Sequence, residues 1–311
     1  MTKTYFVTLV SLVFFMLSSS DLNAANSKEH LRRKGFEIRS EKLPRHFENL
    51  KKYHQKMKPV QAGDWLERHA EKGQSYRDFL RRKRIRPDGV RKYIYIQVIG
   101  DFSEQQAEVL RITKSYMKLC FGVNVKSLSP ISLSQIPKSA KRIHPSWGVQ
   151  QLYTGYLMDK VLKKRKRKDA LCLIGFTATD LYPDPDWNFV FGIARPSWGL
   201  GLWSIYRNGD PSEGEESFKL CLRRTIQTAI HEAAHIFAIK HCIAYSCVMN
   251  GSNSREESDR REVHFCPSCL HKLCKTMKIS SVNRFKKLKA LCLKYGLDKE
   301  AEFFAKCLDE K

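Results

Sequence analysis

The sequence predicts an α/β (α+β) fold, and three observations predict it. Apolar β-branched runs alternate with helical stretches. Apolar residues make up 42% of the chain, the share of a globular protein. At 311 residues the chain is long enough to bury a full-sized core. Tyr93 to Ile99 is the first such run, β-branched and aromatic, and reads as a buried strand. Ser103, with Gln106 three residues on, is a capping-box signature, so a helix should follow to about Cys120. Val123 to Leu128 is the next strand. Gln151 to Leu162 reads as a helix that ends in six consecutive basic residues, Lys163 to Lys168. Ala170 to Phe176 is apolar throughout and reads as a fully buried strand. Asn188 to Ile193 and Leu200 to Tyr206 are further strands, with Pro183, Pro185, Gly199 and Gly201 punctuating the loops. A long helix is predicted over Phe218 to Phe237, because Phe218, Leu222, Ile226, Ala229 and Ala233 recur at three- and four-residue steps. Past Leu270 the chain is helical again, marked by Phe285, Leu288, Leu291 and Leu293, then by Phe303, Phe304 and Leu308.

The flanks divide the chain. Lys3, the apolar run Tyr5 to Leu17 and the small residues up to Ala24 and Ala25 have the order of a secretory signal peptide over 1–24. Cleavage after Ala24 would make the protein secreted or extracytoplasmic. The run is short for a membrane span; a membrane-anchored or an intracellular protein is the alternative. Residues 26–91 form a basic lead-in, with runs such as Arg81 to Arg84, read as helical and mostly exposed. Residues 92–275 form the sheet-bearing domain, and 276–311 a C-terminal helical tail.

The chemistry lies in HEAAHIFAIKH, His231 to His241. Residues four apart share a helix face, so His231 and His235 can chelate one ion. His241 supplies a third ligand if the chain turns back near Ala238. Three protein ligands plus an open water position is the pattern of catalytic zinc. Glu232 then faces the water rather than the metal, as general base. A chance H-E-x-x-H with a histidine six residues later arises in fewer than about one in a thousand such chains. Met249 follows His241 by eight residues, and the resemblance of the motif to the metzincin signature, in which a Met-turn underlies the metal, implies that it forms an apolar floor there. Four of the ten cysteines, Cys242, Cys247, Cys266 and Cys269, have the paired spacing of a closed structural zinc site; two disulfides are the other reading. Whether Cys120, Cys172, Cys221, Cys274, Cys292 and Cys307 are paired is left open by the sequence.

These residues carry a resemblance. HEAAHIFAIKHCIAYSCVMNGSNSREESDRREVHFCPSCLHKL (His231 to Leu273), GFTATDLYPDPDWNFVFGIA (Gly175 to Ala194), GLWSIYR (Gly201 to Arg207) and YIYIQVIG (Tyr93 to Gly100) are similar to the archaemetzincins, or archaelysins, of the eukaryotic type. The similarity runs from about Lys58 to the C-terminus. It implies a single metzincin-like catalytic domain over 92–275, with a mixed twisted sheet and a long zinc-binding helix. It also implies two Zn2+ per chain, catalytic at His231, His235 and His241 and structural at Cys242, Cys247, Cys266 and Cys269, with Glu232 catalytic. Two features depart from the family. Ala238 stands where the motif has glycine, at about 1–2 kcal/mol if its φ is positive. An export signal is also unusual there.

A zinc metallopeptidase acting on peptide or protein substrates is therefore expected, with a substrate strand pairing along Asn188 to Ile193. The alternative is a catalytically weak or inactive zinc-binding protein that holds polyanions. It rests on 56 Lys plus Arg against 32 Asp plus Glu, a net charge of +24, which attracts polyanions non-specifically. The basic runs lack interleaved aromatics, so specific nucleic-acid recognition is not expected. A monomer is expected.

Overall fold

The computed structural model describes residues 42–310; the expected signal peptide lies outside the described residues. No helix among the described residues is long and apolar enough to cross a membrane. Five strands form the central sheet in the spatial order β2 (Asn124–Ser127), β1 (Tyr93–Ile99), β5 (Ala170–Thr177), β8 (Leu200–Ser204) and β7 (Gly192–Arg195). All neighbours are parallel except β7, which runs antiparallel to β8. The sheet is therefore mixed, as expected, and its odd strand occupies one edge.

The inner parallel strands β1, β5 and β8 are buried on both faces, and this is why they are nearly continuous apolar runs; the edge strand β2 is mostly exposed. Ile94 and Ile96 of β1 join one core with Ile174 and Phe176 of β5. Tyr95 and Ile99 join a second core with Leu173 and Leu202. Helices α1 (Glu104–Phe121) and α2 (Glu215–Ile236) cover the first face. A helical stretch over 154–165 supplies Leu157, Met158 and Leu162 to the second. The capping box of Ser103 and Gln106 starts α1. Three helices complete the described chain: α3 (Pro267–Met277), α4 (Ser281–Lys294) and α5 (Asp298–Leu308). The last two contribute Phe285, Leu288, Cys292 and Phe304 to the first core.

Three local expectations are corrected. Gln151 to Tyr153 is not helical; it belongs to β4 (Gln150–Tyr153), which joins β3 (Lys141–Ile143) and β6 (Asp180–Tyr182) in a second sheet. The buried Gln151 amide donates to Asp180 Oδ2 (2.7 Å) and to the Asn188 carbonyl (2.7 Å), and these tertiary bonds override helix propensity. Next, Asn188 to Phe191 is loop, and the edge strand begins at Gly192. Arg142 draws the carbonyls of Pro185, Trp187 and Asn188 onto its guanidinium, which holds them off a ladder. The lead-in, finally, is not one exposed helix. It breaks into short turns, Arg45–Asn49, Leu50–Tyr53, Trp65–Arg68 and Tyr76–Arg81, and buries Leu50 and Phe79 in the first core.

The end of α1 turns through Gly122 at φ +66°, and a Cβ there would lie 2.4 Å from Ile279 Cγ2. Gly63 has φ +85° but open space around it. Gly122→Ala should lower the unfolding free energy by roughly 2–4 kcal/mol, strain plus overpacking, and Gly63→Ala by about 1 kcal/mol. Urea titration of both variants checks this, and equal losses would refute the packing argument.

Candidate metal centres

Helix α2 carries His231 and His235 one turn apart, with their Nε2 atoms 2.9 Å from each other. The helix ends where the sequence requires it to. The amide of Ile239 donates to the Ala234 carbonyl (3.1 Å) and that of Ala238 to the His235 carbonyl (2.9 Å), the paired bonds of a Schellman turn. Ala238 occupies the left-handed position at φ +66°, so the strain expected from its missing glycine is present. The turn brings His241 back, and one ligand atom from each of the three histidines lies within 4.8 Å of the others.

Each ring has its other nitrogen engaged. His231 Nδ1 bonds the Val248 carbonyl (2.8 Å) and His235 Nδ1 the Ile239 carbonyl (2.7 Å). His241 Nδ1 bonds Glu71 Oε1 (2.8 Å). A carbonyl can only accept, so in His231 and His235 Nδ1 carries the proton and Nε2 keeps its lone pair. Burial and the neighbouring imidazoles hold His231 well below the usual histidine range and His235 at about 3. The rings of His231 and His235 are thus neutral, the form that binds a metal. Convergent Nε2 lone pairs with engaged Nδ1 atoms fit a three-histidine zinc site.

Glu232 follows the first histidine and is half-buried beneath the start of β7. A Cβ on Gly192 would lie 3.1 Å from Glu232 Cγ and 2.9 Å from Trp203 Cβ, so only glycine lets strand and carboxylate side chain pass so closely. Burial pushes the Glu232 carboxyl up to about 7, against the pull of the Arg261 guanidinium. Arg261 is itself buried and donates to the Asn250 carbonyl and to Ser258 Oγ. Met249 is fully buried, next to the Val248 carbonyl that holds His231.

The second cluster follows at once. Cys242, Cys247, Cys266 and Cys269 are buried and their sulfurs lie within 4.8 Å of one another. All ten cysteines of the chain are free thiols, so these four are not paired as disulfides. Cys242 and Cys266 Sγ are 3.7 Å apart; zinc–sulfur bonds of about 2.3 Å in a tetrahedron give an edge of about 3.8 Å. The amides of Met249 and Cys266 donate to Cys247 Sγ (3.4 and 3.2 Å), which favours a thiolate. The four sulfurs therefore fit a closed zinc site.

All seven sequence-predicted ligands are thus brought together in two groups. Sequence reading missed the lead-in. Gln74 accepts from the Lys240 amide (3.1 Å) and donates to the Ala238 carbonyl (2.9 Å). Trp65 donates to Glu71 Oε1 (2.9 Å) and packs edge-on against His241. No spacing rule links residues 65–74 to a motif more than 150 positions away. The basic run lies elsewhere: Lys164 to Asp169 and Leu128 line a cavity of about 670 Å³. Arg165 and Lys166 are tied to Gln97 Oε1 and the Trp198 carbonyl (2.6 Å each).

Residues 88–275 match the family model described as peptidase family M54. Archaemetzincin-2 of Mus musculus is 35% identical over 256 residues, 72% of this chain and 71% of that one. The archaemetzincin of Pyrococcus furiosus is 33% identical over 187 residues, 59% of this chain and 93% of that one. A crystal structure of archaemetzincin from Methanopyrus kandleri aligns with a TM-score of 0.48 and 26% identity, over 62% of this chain and 99% of that chain.

The strained turn yields a test. Ala238→Gly relieves about 1–2 kcal/mol of left-handed strain and loses roughly 0.5–1 kcal/mol to glycine's unfolded-state freedom. A net gain of up to about 1.5 kcal/mol is expected in urea titration of the metal-free chain. A net loss would show that the turn is unstrained.

Proposed function

This chain belongs to peptidase family M54, the archaemetzincins, a family of zinc metallopeptidases, and from that premise we propose that it hydrolyses peptide bonds with Glu232 as general base. The supporting observation is the convergence of His231, His235 and His241, with the half-buried Glu232 next to the first of them on the same helix. Zinc, when bound by these three side chains, supplies a Lewis acid that polarises the peptide carbonyl and acidifies water. Glu232 takes a proton from the attacking water and delivers it to the leaving amine. Its place under Gly192 keeps the carboxylate next to the free edge of β7. A substrate strand laid along Gly192–Arg195 would carry its backbone past that carboxylate, with main-chain hydrogen bonds giving affinity. Met249 is assigned as the apolar floor of the site.

The four-cysteine cluster is proposed as a second, structural zinc site, which makes two Zn2+ per chain. It has four protein sulfurs and so no place for a reacting water. It ties the segment after His241 to the start of α3. The cavity lined by Lys164 to Asp169 supports weak polyanion contacts in addition to catalysis. Residues 1–24 are proposed to direct export, which sequencing the mature N-terminus from the native host would check.

Elemental analysis should find two zincs per chain in the wild type, two in Glu232→Gln and one in Cys266→Ala. Cleavage of a mixed peptide library should fall by about a hundred- to ten-thousand-fold in Glu232→Gln; survival of cleavage would remove the general-base assignment. Binding of a phosphate polymer should weaken steeply between low and physiological salt, and a salt-independent affinity would remove the polyanion contact.

A further inference from the structure

Three histidines meet at one point, but they are not held alike. His231 and His235 sit on α2, and their Nδ1 atoms bond main-chain carbonyls, which the fold supplies whatever the side chains are. His241 lies past the helix end, beyond a left-handed alanine, and its Nδ1 bonds a side chain, Glu71, 170 residues away. Glu71 is itself oriented by the Trp65 indole. Trp65 is seated on Gly251, where a Cβ would come within 2.4 Å of the indole Cδ1, and its amide donates to Glu257 Oε1 (2.9 Å). Three residues after Glu71, the Gln74 amide group closes a two-bond staple across Ala238 and Lys240. The Gln74 carbonyl in turn accepts from the buried Lys272 ammonium of α3 (2.5 Å).

We propose that the segment Trp65 to Gln74, which lies outside the family-matched residues 88–275, is a positioning element of the histidine centre. Glu71 fixes the tautomer and the plane of the His241 ring, and Gln74 holds the Ala238 turn that delivers the ring. The physical reasons are separate for the two. A carboxylate on Nδ1 keeps the proton there, leaves the Nε2 lone pair for the metal and raises its basicity. An amide bonded to the carbonyl of Ala238 and the amide of Lys240 restricts the backbone on both sides of a residue that resists its own φ. Neither residue touches substrate or reacting atoms. The inference rests on the reading of the three histidines as the catalytic metal site, and extends it to residues that no motif contains.

The test uses the full chain loaded with zinc, or with cobalt for its ligand-field spectrum. Zinc affinity at each site is measured by chelator competition, and kcat and KM on a cleaved peptide. Glu71→Ala should weaken metal binding at the histidine site by about 10–100-fold and perturb the cobalt spectrum there, with the four-cysteine site unchanged. Glu71→Gln, whose amide oxygen still accepts from Nδ1, should restore most of that affinity. Gln74→Ala should also weaken the histidine site, and adding Ala238→Gly should rescue Gln74→Ala by more than it improves the wild type. Unchanged affinity and spectrum in Glu71→Ala would overturn the proposal. So would a Glu71→Gln as weak as Glu71→Ala, or loss of both metals together, which would mean that the segment holds the fold and not the ring. A wild type that binds no metal at the histidines would instead sink the catalytic-site reading on which this one is built.

Discussion

The structure depends on one constraint: three imidazoles must present Nε2 to a common point, and each must find an acceptor for its Nδ1 hydrogen. A histidine buried without that acceptor leaves a costly unsatisfied donor and a ring free to rotate. Each acceptor here comes from a different part of the chain: the Val248 carbonyl before Met249, the Ile239 carbonyl in the turn after α2, and Glu71 in the lead-in. Placing these three acceptors fixes the path of three segments. The turn after α2 has to be tight and left-handed, the segment to Met249 has to fold back under the helix, and the lead-in has to cross the site.

The surrounding architecture serves the same demand. Helix α2 packs against α1, β7 and β8, and its Ala229, Ala233 and Ala234 are fully buried. Gly192 then allows β7 to run over Glu232. The four cysteines take over where the helix stops. They begin one residue after His241 and reach across to α3, so the segment that carries the third histidine is held at its far side by the amide-to-sulfur bonds of Cys247 and at its near side by Gln74. A turn that strains its own backbone is stable only between two such anchors.

How much of this was legible in the sequence follows from the range of the forces involved. Short-range signals read well. The capping box at Ser103, the apolar runs at Tyr93 and Ala170, the helical period of α2 and the spacing of His231, His235 and His241 are all local, and the structure carries each of them. The four cysteines were readable as a group because thiols at paired spacing have few other uses. What failed was decided by partners far away. Gln151 looked helical until Asp180 and the Asn188 carbonyl claimed its amide. Asn188 to Phe191 has the composition of a strand, but the Asn188 carbonyl is claimed by Arg142 and Gln151. Glu71 and Gln74 were invisible, since a single acid and a single amide in a polar, basic stretch carry no pattern.

The distance between Glu71 and His241 along the chain has a consequence for biosynthesis. The acceptor leaves the ribosome 170 residues before the ring it holds, a delay on the order of ten to thirty seconds at ordinary elongation rates. Through that interval the sheet can assemble from β1 to β8 and the core can close, yet the histidine centre is still incomplete. Closing so long a loop is slow compared with forming a helix. The centre therefore cannot form until every strand of the sheet has been made, and no chemistry that needs His241 can precede the sheet.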